Sequence, residues 1–184
     1  MASSYTEGKS SIVGWLEEIK PETVIDVGPG CGTYWAILNG VYGTWVSGFT
    51  DYKGKKPKMH AVEAFYPYID MYALRDKYDE VVVADVKYLD WDKMPVVDVV
   101  IFGDILEHLL QEEAMDVVAG AKLVTDNIII SLPIIHFPQG AIGGNTFERH
   151  KEEDWTHERM LKVFGEPHMF VAGSSIGTYW YKYD

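Results

Sequence analysis

The sequence predicts a parallel α/β sheet with helices on both faces, and three observations predict it. Short β-branched, apolar runs of strand length recur at 23–27, 60–64, 81–84, 96–102 and 127–132, with helical patterns between most of them. The first run empties into Gly28, Gly30 and Gly32, a turn with no side chains over its backbone. An acidic residue stands at the carboxyl end of four successive runs: Asp26, Glu63, Asp85 and Asp104.

Taken in order, Ser10 and Ser11 are placed to cap a helix through Ile12, Val13, Trp15, Leu16 and Ile19, which Pro21 stops. Thr23 to Val27 is the first strand, and beyond the glycines Tyr34 to Leu38 starts a helix whose free N–H groups face the turn. Gly40 to Pro57 is polar and glycine-punctuated, with Trp45, Phe49 and Tyr52 set among its lysines. It reads as a solvated connection, with a lid or acceptor wall as the functional alternative. His60 to Ala64 is the second strand, Tyr66 to Tyr78 a helix, and Val81 to Ala84 the third strand. Val96 to Phe102 is the fourth, followed by a helix over Glu107 to Ala121 and a fifth strand over Asn127 to Leu132. Thr156 caps a helix that reaches Phe164. Met169 to Ala172 and Thr178 to Tyr183 then form a hairpin across Gly173 to Gly177. No linker interrupts residues 1–184, so a single domain is expected.

A net charge of −12 argues against a general nucleic-acid or anionic-membrane surface, and favours a small-molecule partner. Cys31 is the one cysteine, so no internal disulfide forms. Neither a cationic leader nor an apolar run near the ~18 residues of a membrane span is present, so a cytoplasmic location is expected.

The glycine turn raises the question of its ligand. A dinucleotide fingerprint would need its third glycine at position 33, which is Thr33. Asp26, two residues before Gly28, would repel a pyrophosphate but suit a cofactor that carries its own cation. S-adenosylmethionine, with an ammonium and a sulfonium, is such a cofactor. Gly28 and Gly30 would let it lie on the main chain, and Glu63 can accept both hydroxyls of a ribose. Asp85 can accept from the adenine amine while the N–H of Val86 donates to a ring nitrogen. Asp26 and Asp104 can address the amino-acid end. Asp104 and Glu107 also have the spacing of a capping box for the next helix.

Asp-Val-Gly-Pro-Gly-Cys-Gly, Val-Glu-Ala-Phe-Tyr-Pro-Tyr-Ile, Val-Val-Ala-Asp and Asp-Val-Val-Ile-Phe-Gly-Asp-Ile-Leu-Glu-His-Leu resemble, in order, the motifs of class I S-adenosylmethionine-dependent methyltransferases. That resemblance implies a Rossmann-like, mostly parallel seven-stranded sheet with a reversed C-terminal strand, and methyl transfer as the activity. The interval from Gly32 to Glu63 is longer than the ~20 residues usual before a ribose-binding acid, and the Gly40 to Pro57 stretch accounts for the excess. Ser131 to Thr156 resembles a subgroup of small bacterial, archaeal and viral methyltransferases that has no general acceptor assignment.

His136 and His150 flank a glycine-rich loop past the fifth strand, and either can serve as a base for an oxygen acceptor, with His150 preferred because polar and aromatic groups surround it. Asn145 to Thr156 is expected to fold over the transferred methyl, anchored by Trp155. Asp104, Glu107, His108 and His150 form an oxygen- and nitrogen-rich set. Capping already accounts for the acids, and neighbours on a helix diverge, so no metal site is expected. Two rival readings stand beside the methyltransferase: a nicotinamide-dependent oxidoreductase, and a non-catalytic S-adenosylmethionine-binding protein.

Overall fold

In the computed structural model, residues 6–39 and 56–183 are described, and most of the Gly40 to Pro57 stretch lies outside them. Among the described residues the strands are β1 (Thr23–Val27), β2 (Lys58–Glu63), β3 (Glu80–Val83), β4 (Val99–Gly103), β5 (Asn127–Pro133), β6 (Met169–Ala172) and β7 (Ile176–Lys182). They form one sheet in the order β3-β2-β1-β4-β5-β7-β6. β1 to β5 pair in parallel, and β7 runs antiparallel to both β5 and β6, so it is the one reversed strand. This is the Rossmann-like methyltransferase arrangement that the sequence motifs imply.

Both faces of the sheet are covered, which is why its central strands are apolar almost throughout. On one face Val24, Ala61, Val99, Ile129 and Trp180 pack under α1 (Lys9–Ile19), α2 (Thr33–Leu38), α3 (Tyr66–Met71) and α4 (Leu74–Lys77). On the other, Ile25, Val100, Phe102, Ile130 and Tyr179 pack under α5 (Gln111–Ala121) and α6 (His157–Phe164). Trp155, 1% exposed, closes that second layer, as expected. No described helix is long and apolar enough to cross a membrane.

Four local expectations are corrected. α1 starts before Ser10 and Ser11, because Gly8 at φ 79° turns the chain into the helix with no side-chain cap. The helix expected over 66–78 is broken at Ala73, which adopts φ 50° and has no glycine or proline to announce it. β4 begins at Val99, because the Asp98 carboxylate instead accepts from the backbone N–H groups of Glu22 and Thr23 at the foot of β1. The fourth correction bears on chemistry. Asp104 and Glu107 do not cap a helix: Asp104 is left-handed at φ 58°, a 3-10 turn covers Leu106–His108, and α5 starts only at Gln111. Glu113 takes the capping role, accepting from the N–H of Leu110 at 2.9 Å.

Candidate functional site

A cavity of about 500 Å³ opens at the carboxyl edge of the sheet, within the size range of small-molecule sites. It lies where the strand order reverses, since β1 has β2 on one side and β4 on the other. Segments after β1, β2 and β3 build one half, and segments after β4 and β5 build the other.

The first half rests on the glycine turn. Gly28, Gly30 and Gly32 have φ of 63°, 51° and 88°, a region that other residues enter only at a cost. The N–H of Gly28 bonds to the carbonyl of Val62 at 2.8 Å, and Lys77 from α4 donates to the carbonyl of Cys31 at 2.8 Å. The turn is therefore held from both sides. Glu63 ends β2 on the cavity wall, with Oε1 accepting from the N–H of Phe65 at 2.7 Å. Burial raises its carboxyl to about 7, helped by the charge of Glu148 across the cavity. Asp85 and Val86 line the far side, and Asp85 Oδ1 accepts from the N–H of Lys87.

Asp26 is placed differently from the expectation. It is fully buried beneath the turn and is not among the lining residues. Its Oδ2 accepts from the Tyr78 hydroxyl at 2.6 Å, while Oδ1 is buried with no partner among the described residues. Burial raises its carboxyl to about 7, against the hydrogen bond from Tyr78 and the charge of Lys9. An ammonium would reach it only through the turn.

The second half is built by segments without regular structure. Asp104 lines the cavity with both carboxyl oxygens buried and, among the described residues, unpaired. The 3-10 turn carries Glu107 and His108 toward His150, with the His108 and His150 ring centroids 4.9 Å apart. Two backbone bonds fix that meeting: the carbonyl of Glu107 accepts from the N–H groups of Lys151 at 2.9 Å and Glu152 at 3.1 Å. His150 Nδ1 lies 2.6 Å from the carbonyl of Phe137. A carbonyl can only accept, so Nδ1 carries the proton and Nε2 keeps its lone pair. Burial pushes His108 down to about 4, with the charge of His150 adding to the effect. Burial also holds the Glu107 carboxyl well above the usual carboxylate range, and the neighbouring Asp104 charge reinforces it.

His136 is not brought to this site. It is exposed, sits 2.7 Å from Asp154, and is absent from the cavity wall. The segment expected to close on binding is already fastened, with the N–H of His150 on the carbonyl of Gln139 and the Gln139 amide on the carbonyl of Glu148.

Three contributors were not singled out from sequence. Lys9 donates to the Tyr34 hydroxyl at 2.9 Å; burial lowers its pKa, opposed by the charges of Asp104, Asp26 and Glu107. A signal existed, because Lys9 continues the stripe of Ile12 and Leu16 along α1, where a lysine is out of place. Tyr78 and Asn145 carry no such signal, and only the tertiary fold puts them beneath and beside the cavity.

No protein-family model matches the chain, and no curated protein matches it. Solved structures do. The N-terminal domain of EvdMO1, solved with SAH bound, superposes with a TM-score of 0.66 at 11% identity, over 97% of this chain and 82% of that one. The methyltransferase domain of bacterial CtHen1-CN gives 0.64 at 17% identity, over 94% and 96%. Magnesium protoporphyrin IX methyltransferase (ChlM) from Synechocystis PCC 6803, with SAM bound, gives 0.61 at 15% identity, over 95% and 77%. At these identities the likeness establishes a shared fold.

Proposed function

We propose that this chain is an S-adenosylmethionine-dependent methyltransferase acting on a small-molecule acceptor. One observation carries the reading: a left-handed glycine turn and the carboxylate of Glu63 face the same cavity at the reversal of strand order. Neighbours in fold that were solved with SAM or SAH support it. In this reading Asp85 and Val86 take the adenine, Glu63 the ribose, and the turn with Asp104 the amino-acid end. Asp26 acts through the field beneath the turn. The methyl then faces His108 and His150. The acceptor's lone pair forms a bond to the methyl carbon as the carbon–sulfur bond breaks, and that pair returns to sulfur. Catalysis by this route is mainly the holding of two reactants in line. His150, with Nε2 free, is the polar group assigned to the acceptor.

Calorimetric titration with S-adenosylhomocysteine and with NADH tests the reading. Saturable binding of the first alone is expected, because Thr33 and the buried Asp26 disfavour a pyrophosphate on the turn. Preference for NADH would transfer the chain to the oxidoreductase class. Release of S-adenosylhomocysteine from bound S-adenosylmethionine separates an enzyme from a binding protein.

A further inference from the structure

We propose that Glu107, His108 and His150 form a binding site for a first-row divalent transition-metal ion, in the half of the cavity assigned to the acceptor. One candidate ligand atom from each lies within 4.8 Å of the other two. Donors on a common ion at about 2.1 Å stand roughly 3–4.2 Å apart, so a contraction of up to roughly 2 Å in the longest separation closes the set. Two objections that the sequence raises do not survive in the fold. Glu107 is not used in a cap, since Glu113 caps α5. Glu107 and His108 do not diverge beyond reach of one ion either, since a ligand atom of each lies within 4.8 Å of the other and of one on His150.

Unmet hydrogen bonding is the second and independent observation. Buried polar atoms are almost always paired. Here Glu107 Oε2 and His108 Nδ1 are both buried with no partner among the described residues, in a residue only 2% exposed and in the one beside it. Next to them Asp104 leaves both carboxyl oxygens unpaired. Lys9 is the cation that all three neighbouring acids share, and its Nζ is engaged with the Tyr34 hydroxyl. A divalent ion would satisfy the orphaned oxygen and nitrogen together.

The surroundings are those of a supported site. His150 donates from Nδ1 to a main-chain carbonyl, the arrangement that orients a ligating imidazole and leaves Nε2 for a metal. The two backbone bonds onto the Glu107 carbonyl bring both ligand segments together without the ion, so little ordering remains to be done on binding. Two imidazoles and one carboxylate favour ions from manganese to zinc over magnesium or calcium, which prefer oxygen alone. Three protein ligands leave at least one position open to the cavity.

Resting on the methyltransferase reading, with His150 Nε2 then serving the acceptor through the ion rather than directly, this site identifies the acceptor as a hydroxyl compound. An ion that binds the hydroxyl oxygen lowers its pKa, and the proton passes to solvent. The resulting alkoxide forms the new oxygen–carbon bond as the sulfonium carbon–sulfur bond breaks, leaving a neutral thioether.

The test titrates the metal-free full chain with Co²⁺ and with Mg²⁺ by calorimetry, and repeats it for Glu107→Gln and His108→Asn. S-adenosylhomocysteine is titrated in parallel. One equivalent of Co²⁺ should bind the native chain, and Mg²⁺ at least ~10-fold more weakly. Each variant should lose at least ~10-fold in Co²⁺ affinity while keeping its circular dichroism and its S-adenosylhomocysteine affinity. Absence of saturable Co²⁺ binding to the native chain overturns the site, as does equal binding by folded variants. Co²⁺ binding without S-adenosylhomocysteine binding keeps the site and removes the methyltransferase reading. The reverse pattern does the opposite.

Discussion

The two halves of the cavity are built on different principles. In the cofactor half, each proposed contact stands at the end of a strand or in the turn directly after it: Gly28 and Gly30 after β1, Glu63 at the end of β2, and Asp85 and Val86 after β3. In the acceptor half, Glu107 and His108 sit on a 3-10 turn and His150 on an irregular stretch between β5 and α6. Strand ends are fixed by sheet register, so the first half is rigid by construction. The second depends on cross-links such as the pair of bonds onto the Glu107 carbonyl. On the proposed reading, the regular scaffold carries cofactor binding and the irregular segments carry what is particular to this chain.

If that division holds, substitutions in one half should leave the other intact. Gly30→Val should have the largest effect. A β-branched residue at φ 51° is a steric outlier, and its methyl groups would stand where the cofactor lies. S-adenosylhomocysteine binding should fall below detection by calorimetry while circular dichroism stays native. Retained binding would put the cofactor elsewhere.

His150→Ala should act from the opposite side. Turnover should fall by ~10²-fold or more, with cofactor affinity within a few-fold of native. Single-turnover kinetics beside a binding isotherm measures both. A change in affinity alone would merge the two halves.

Glu63→Ala comes next. A ribose that loses hydrogen bonds to a charged acceptor should bind more weakly by roughly 1.5–3 kcal/mol, about ten- to a hundred-fold. An unchanged dissociation constant would assign the ribose to another acid.

The legibility of the site divides along the same line. The presence of Glu63, Asp85 and Asp104 on the cavity wall was legible because a buried parallel strand ends abruptly and an acid there interrupts an apolar pattern. The parallel α/β class follows from the same alternation, whereas the seven-stranded arrangement with its reversed strand is implied by the resemblance of the motifs, which the C-terminal hairpin fits. Asp26 was found as a residue but misplaced in depth, since sequence spacing does not show that Tyr78, 52 residues away, claims its outer oxygen. In the acceptor half, Asp104 and Glu107 matched a capping pattern that the left-handed backbone of Asp104 rules out. Polar and aromatic sequence neighbours favour His150 over His136, and the fold separates them further: His136 faces solvent, and His150 is buried by contacts from Phe137 and Gln139.

The effect of pH is the smallest expected, and it belongs to the cofactor half. Glu63 and Asp26 both titrate near 7 in the folded chain, well above their ordinary values near 4. Between about pH 4 and 7 the folded state therefore keeps protons that the unfolded state has released. Stability attributable to these groups should decline as pH rises through that window and level off above it. A bound ribose and ammonium favour the ionised carboxylates, so binding should release protons. Affinity should climb by up to ~tenfold per pH unit for each group toward pH 7. Calorimetry at pH 6 in buffers of different ionisation enthalpy measures the released protons. No dependence on buffer would remove Glu63 from the cofactor contacts and Asp26 from any influence on the bound cofactor.

The most direct measurement of the two-half account is a crystal structure of the chain with S-adenosylhomocysteine bound. The account predicts adenine against Asp85 and Val86, ribose hydroxyls on Glu63, and the amino-acid end on the Gly28 to Gly32 turn. The thioether sulfur should face the space in front of His108 and His150. A ligand lying wholly outside the glycine turn, or with its sulfur directed away from those two imidazoles, would contradict it.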